Sequence, residues 1–190
     1  TRCQPVTGVQ TCALPILTER AWMRRIEEQC RRYAAEFSEK HGSILFQGNT
    51  GVGKTFLSNS IAKELIERGN SVIYLTAAEF FDCMAKVRIE KTEELTLREL
   101  YGYIFSCDLL ILDDLGTEVT NTFSASQLFY MVNSRLNEQR GTVISTNLSM
   151  RMLRDTYSDR TTSRITSGYD ILMLYGDDIR AKKRMKELGL

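Results

Sequence analysis

The chain lacks a dominant charge: 25 basic residues meet 24 acidic ones among 190, for a net +1. An overall electrostatic grip on nucleic acid or on an anionic membrane is therefore not implied, and any such surface has to be a local patch. No apolar run approaches the length needed to span a bilayer. No basic segment followed by an apolar stretch opens the chain, so neither a membrane anchor nor a secretory leader is expected, and a cytoplasmic location is. The five cysteines (Cys3, Cys12, Cys30, Cys83 and Cys107) show no paired spacing. That argues against a disulfide framework or a thiolate metal site, and for buried or free thiols. A hydrophobic content of 43% over this length suffices to bury one core, so a single domain is the default.

The stretch from Val6 to Ile16 has neither helical nor strand periodicity. It resembles, letter for letter, the translation of a common sequencing-library adapter, and a Leu17 codon beginning with T completes the match. Residues 1–16 are accordingly expected to be a read-through artefact, with the natural protein beginning upstream, and they are set aside from fold reasoning.

From residue 18 onward helical and strand patterns alternate. Trp22, Ile26, Tyr33 and Phe37 punctuate a charged segment as one face of an amphipathic helix. Short apolar runs at 43–47, 71–76, 109–112, 142–146 and 171–174 read as strands. Helices are expected at 56–68, ending at Gly69, at about 78–90, 93–106 and 124–139, in short pieces after 146, and in a basic tail. Leu109-Leu110-Ile111-Leu112 is apolar throughout, as a parallel strand covered on both faces has to be. The alternation predicts an α/β fold, a parallel sheet flanked by helices.

The strongest motif is Gly48-Asn49-Thr50-Gly51-Val52-Gly53-Lys54-Thr55, which follows a predicted strand and opens a predicted helix. The glycines let the backbone wrap closely around phosphates, and the helix start adds its positive end. Lys54 would reach the β/γ oxygens of ATP and the Thr55 hydroxyl would take a place on Mg²⁺. A glycine-rich turn before a helix is the bland alternative, and the flanking strand and helix disfavour it.

Asp113 and Asp114 close the apolar run at 109–112. Beside a phosphate loop, Asp113 would hold Mg²⁺ through water and Asp114 would act as the base on the attacking water. Strand-terminating turn chemistry is the alternative for Asp-Asp-Leu-Gly. Asn147, at the end of the 142–146 strand, could donate to the γ-phosphate or merely terminate the strand. Arg160 and Arg164 share a face if their segment is helical. They suit either a phosphate grip or an ordinary solvated surface.

The motifs Gly-Asn-Thr-Gly-Val-Gly-Lys-Thr-Phe-Leu, Leu-Leu-Ile-Leu-Asp-Asp-Leu-Gly, Ile-Ser-Thr-Asn-Leu, Arg-x-x-Ser-Arg-Ile and Gly-Asp-Asp-Ile-Arg occur in this order. Together they resemble the ATPase domain of DnaC/DnaI-type replicative helicase loaders, of the AAA+ superfamily, with IstB transposition helpers as relatives. The resemblance covers nearly all of residues 20–190. It implies that Asn147 is sensor 1, and that Arg164 is an arginine finger offered to a neighbouring subunit, with Arg160 its companion. It places Arg180 at a sensor-2-type position in a lid that is short or absent. It assigns the segment between the second and third strands to a helical insertion lining a single-stranded DNA path, with Lys86, Arg88 and Lys91 as its cations; a solvated charged face is the equal alternative. It makes 17–41 a linker helix and 42–190 the ATPase domain, with the N-terminal helicase-binding region missing. The activity implied is slow, assembly-dependent ATP hydrolysis, with ATP and Mg²⁺ as ligands. The partners implied are a replicative helicase, single-stranded DNA and further copies of the chain, with no membrane. Three other readings stand beside it: an IstB-like ATPase assisting a transposase, a nucleotide-switched regulatory module that binds no DNA, and a small-molecule kinase. The last is disfavoured because Asn147 would have no role in it.

Because nothing in residues 1–16 is patterned to pack, deleting them should leave both the melting temperature and ATP affinity unchanged. A fall of several degrees in a thermal melt of the truncated chain would show that the segment belongs to the folded protein.

Overall fold

The central strands are largely apolar because both faces of the sheet are covered by helices, as at residues 109–112. The computed structural model describes residues 18–37 and 42–187, and the adapter-like stretch 1–16 lies outside the described residues. The strands are β1 (Ile44–Gly48), β2 (Val72–Thr76), β3 (Leu109–Leu115), β4 (Gly141–Thr146) and β5 (Asp170–Leu174). All pair in parallel, in the order β2-β3-β4-β1-β5.

The helices α1 (Glu19–Glu36) and α2 (Lys54–Glu67) cover one face. On the other face lie α3 (Ala77–Arg88), α4 (Leu95–Ser106), α5 (Thr122–Asn137), α6 (Met150–Tyr157) and α7 (Asp159–Gly168). The short α8 (Ile179–Glu187) follows β5. Strand residues alternate between the two layers as the pleat demands. Ile44 and Phe46 of β1, and Leu109 and Ile111 of β3, join the layer under α1 and α2. Leu45, Leu110 and Leu112 join the layer under α3 to α7. Each of these side chains is 2% exposed or less, worth about 1.5–3 kcal/mol apiece on transfer from water.

The structure moves several of the expected boundaries. α1 begins at Glu19, three residues before Trp22, because the Thr18 hydroxyl caps it by accepting from the Ala21 N–H at 3.3 Å. This helix, which the resemblance makes a linker, buries Ile26, Cys30 and Ala34, and the adjoining Phe37, in the same layer as β1 and α2. α2 starts at Lys54, inside the glycine motif. β3 runs on to Leu115 and so carries both acids within the strand. Cys30, Cys83 and Cys107 are free, buried thiols, and desolvation pushes the Cys30 thiol up to about 12.

One charge is fully enclosed. Arg135 of α5 has no exposed surface. Its guanidinium donates to the carbonyls of Ile104 (2.8 Å), Cys107 (3.1 Å) and Gly141 (2.5 Å), and to Thr142 Oγ1 (3.0 Å). It thereby ties the carboxyl end of α4 to the start of β4, where unpaired helix carbonyls need donors. Burial pushes its pKa down despite the nearby Cys107 thiol. Arg135→Met keeps the volume but strands those acceptors, and should cost about 3 kcal/mol. Urea denaturation of the two proteins checks this; equal midpoints would mean that the carbonyls find other donors.

Candidate active site

The glycine loop is built from three backbone requirements. At Gly48 a Cβ would lie 2.4 Å from the Leu174 carbonyl of β5, so no side chain fits. Gly51 and Gly53 take φ of +78° and +102°, in the left-handed region that glycine enters without steric cost. Gly53 then stands at the N-cap of α2 with no side chain to offer its first turn, which also holds no acidic residue. By contrast, Thr18, Thr76, Asn121, Ser149 and Ser158 cap α1, α3, α5, α6 and α7 with their side chains. The first N–H groups of α2 are thus left for a ligand, and the positive end of the helix favours an anion.

Lys54 is 6% exposed. Its ammonium donates to the carbonyls of Gly48 (2.7 Å) and Asn49 (2.8 Å). Desolvation lowers its pKa, Asp114 and Asp113 oppose that shift, and Arg180 adds to it. Asp113 is buried, and its carboxylate accepts from three hydroxyls: Thr55 Oγ1 at 2.9 Å, the Tyr74 phenol and Ser145 Oγ. The Tyr74 phenol is held well above its ordinary pKa, by burial first and by this bond second. Asp114 is exposed, with φ of +55°.

A cleft of about 950 Å³ lies over the loop, the size range of a small-molecule site. Residues 50–55, Asp114, Asn147 and Arg180 line it. The loop after β1, the end of β3, the residue after β4 and the start of α8 after β5 therefore meet at one place. Asp113 sits behind Thr55, and the carbonyls of Gly48 and Asn49 anchor Lys54. Arg160 and Arg164 do not line this cleft; both are exposed on α7. Of the insertion cations, Lys86 is paired with Asp82 at 2.8 Å. Arg88 lies over the Tyr130 ring at 5.1 Å and donates to Gln127 at 3.3 Å. Lys91 is exposed just beyond α3.

The residues of the site fit a Mg²⁺–nucleotide complex. Thr55, Asp113 and Asp114 offer only oxygen donors. Among the described residues no group of three His, Cys, Asp or Glu side chains forms a self-sufficient metal site. One or two carboxylates with phosphates completing the shell is the ordinary Mg²⁺ arrangement.

Sequence reasoning overlooked part of the cleft wall: Arg20, Met23, Arg24 and Glu27 of α1, with Phe56 and Ile179. The four α1 residues form a helical stripe at i, i+3, i+4 and i+7, a signal present in the sequence. What the stripe faces was not.

A family model described as IstB-like ATP binding protein matches residues 23–187. A replicative helicase loader DnaC from Buchnera aphidicola subsp. Schizaphis graminum is 28% identical over 152 residues, covering 80% of this chain and 61% of that protein. A putative ATP-binding protein of insertion sequence IS232 from Bacillus thuringiensis subsp. berliner is 27% identical over 123 residues, covering 65% and 47%. The chain thus spans about three fifths of the length of the DnaC relative. Among solved structures, the DnaC helicase loader superposes with a TM-score of 0.72 at 22% identity, covering 81% of this chain and 90% of that one. The replication initiator DnaA bound to AMPPCP and single-stranded DNA gives 0.69 at 25% identity, covering 88% and 52%.

Lys54→Ala removes the buried cation from the loop and should abolish nucleotide binding in a fluorescent-ATP titration. Asp114→Asn should keep that affinity and stop phosphate release. Normal affinity in the lysine variant would remove the site from this loop.

Proposed function

The chain belongs to the IstB-like ATP-binding proteins, and from that premise we propose that it is an ATP-hydrolysing helicase loader domain acting on a replicative helicase and single-stranded DNA in the cytoplasm. The observation that carries this reading is a division of parts. The glycine loop, Asp114, Asn147 and Arg180 line one cleft, whereas Arg164 lies exposed on α7 outside it.

Within the cleft, the N–H groups at the start of α2 and the Lys54 ammonium hold the β- and γ-phosphates. Thr55 and Asp113 would hold Mg²⁺, which would screen the phosphate charge. Asp114, exposed to the cleft, takes the proton of the attacking water. Asn147 orients that water or donates to the γ-phosphate, and Arg180 pairs with phosphate from the α8 side. Met23, Phe56 and Ile179 supply the apolar surface that a purine requires.

Arg164 completes the site of a neighbouring copy. Thr161, Thr162 and Ile165 turn inward on α7 while Arg160 and Arg164 turn outward, four residues apart on one face. Hydrolysis is therefore slow in the isolated chain and faster in an assembly. Two features support DNA contact: the DnaA relative was solved with single-stranded DNA, and Lys91 lies exposed beyond α3. The insertion-sequence relative and the family description favour a second reading, an ATPase that assists a transposase.

Arg164→Ala should bind ATP normally and hydrolyse it poorly, because a finger meets charge that develops only in a neighbour's transition state. Mixing it with Asp114→Asn subunits on single-stranded DNA should restore part of the activity. Some interfaces then join an intact finger to an intact acidic pair. Mixtures that co-assemble in sedimentation yet stay inactive at every ratio would make Arg164 an ordinary surface arginine.

A further inference from the structure

The acidic pair is aimed by an irregularity in the sheet. Leu112 of β3 pairs with Ile144 of β4 and Leu115 pairs with Thr146, so Asp113 and Asp114 together oppose the single residue Ser145. This is a β-bulge, with Asp114 in the left-handed region that aspartate tolerates better than most residues. Its consequence is visible in the burial. Leu110 and Leu112 face the core under α3 to α7, and so does Leu115. A regular pleat would send Asp114 into that core and Leu115 to the other layer. The extra residue restores Leu115 to the core and releases Asp114 into the cleft.

Ser145 is fully buried, and its hydroxyl spans the bulge in both directions. It accepts the Asp114 N–H at 3.0 Å and donates its own proton to Asp113 Oδ1. Thr55 and Tyr74 both bond to the other oxygen, Oδ2. Among the described residues Ser145 is thus the hydroxyl that donates to Oδ1, and it also reaches the Asp114 N–H. A hydroxyl can donate and accept at once; a methyl can do neither and a thiol does both weakly.

We propose that Ser145 is a positioning residue for ATP hydrolysis: through one hydroxyl it fixes the Asp113 carboxylate for Mg²⁺ and holds the bulge that presents Asp114 to the attacking water. The proposal rests on the reading of the cleft as a Mg²⁺–ATP site. Residues that orient a metal-binding carboxylate typically contribute about 10- to 100-fold in metal affinity or activity when replaced.

The test measures fluorescent-ATP affinity with and without Mg²⁺, the Mg²⁺ concentration for half-maximal turnover, and kcat. Ser145→Ala, Ser145→Cys and Ser145→Thr are compared with the unmodified chain on single-stranded DNA. Ser145→Ala and Ser145→Cys should leave metal-free ATP affinity unchanged. They should raise the half-maximal Mg²⁺ concentration and lower kcat, each about tenfold or more. Ser145→Thr, which keeps the hydroxyl, should recover most of both. The near-isosteric Ser145→Cys carries the test where Ser145→Ala fails to fold. A folded Ser145→Cys or Ser145→Ala with unaltered Mg²⁺ dependence and kcat overturns the role of Ser145 alone. An unmodified chain whose ATP affinity does not respond to Mg²⁺ overturns the site reading beneath it as well.

Discussion

Because β1 is hydrogen-bonded to β4 on one side and to β5 on the other, both in parallel, the segments that end these strands emerge at the same end of the sheet, beneath the cleft. Parallel pairing puts the carboxyl ends of all five strands together. The loop after β1, the acids ending β3, Asn147 after β4 and the turn after β5 are therefore neighbours, although more than 120 positions separate Gly48 from Arg180. In open α/β sheets ligands bind at this end, where strand order changes direction. The tightness of the pairing shows at Gly48, where the β5 carbonyl leaves no room for a Cβ.

Charge balance then selects what can occupy the cleft. Lys54 and Arg180 attract phosphate, and Asp113 and Asp114 lie close enough to Lys54 to oppose the lowering of its pKa by burial. A bare polyphosphate would meet both acids as like charges. A polyphosphate that brings a divalent cation would meet them as partners, which is the charge argument behind the proposed Mg²⁺–ATP site. The low exposure of Lys54 strengthens each of these interactions relative to water.

The cleft also joins the two ends of the described chain. α1 contributes a wall, and the Trp22 indole donates to the Met173 carbonyl of β5 at 2.7 Å. On the other side, Asp178 caps α8 through the N–H groups of Arg180 and Ala181, and its carboxylate lies against Gly51. The Ile179 N–H donates to the Gly51 carbonyl at 3.0 Å. The phosphate loop and the start of α8 are thus in direct contact.

The sequence by itself determined the local chemistry of this protein. The parallel α/β fold was legible in unbroken apolar runs alternating with helical periods, because a strand buried on both faces must be apolar throughout. The phosphate loop was legible because its glycines and lysine act within eight consecutive residues. Only the tertiary structure decided what those pieces face. The α1 stripe of Arg20, Met23, Arg24 and Glu27 is periodic in the sequence, but its place on the cleft wall depends on how α1 packs on α2 and β5. Nor does Asp113-Asp114 reveal which acid is buried. That follows from a bulge whose register is set by β4, with Ser145 lying 31 positions beyond Asp114, and from Ser145, which reads in sequence as an ordinary strand residue. Turns and periods depend on neighbours along the chain, whereas side-chain direction at a sheet edge depends on which strand lies alongside.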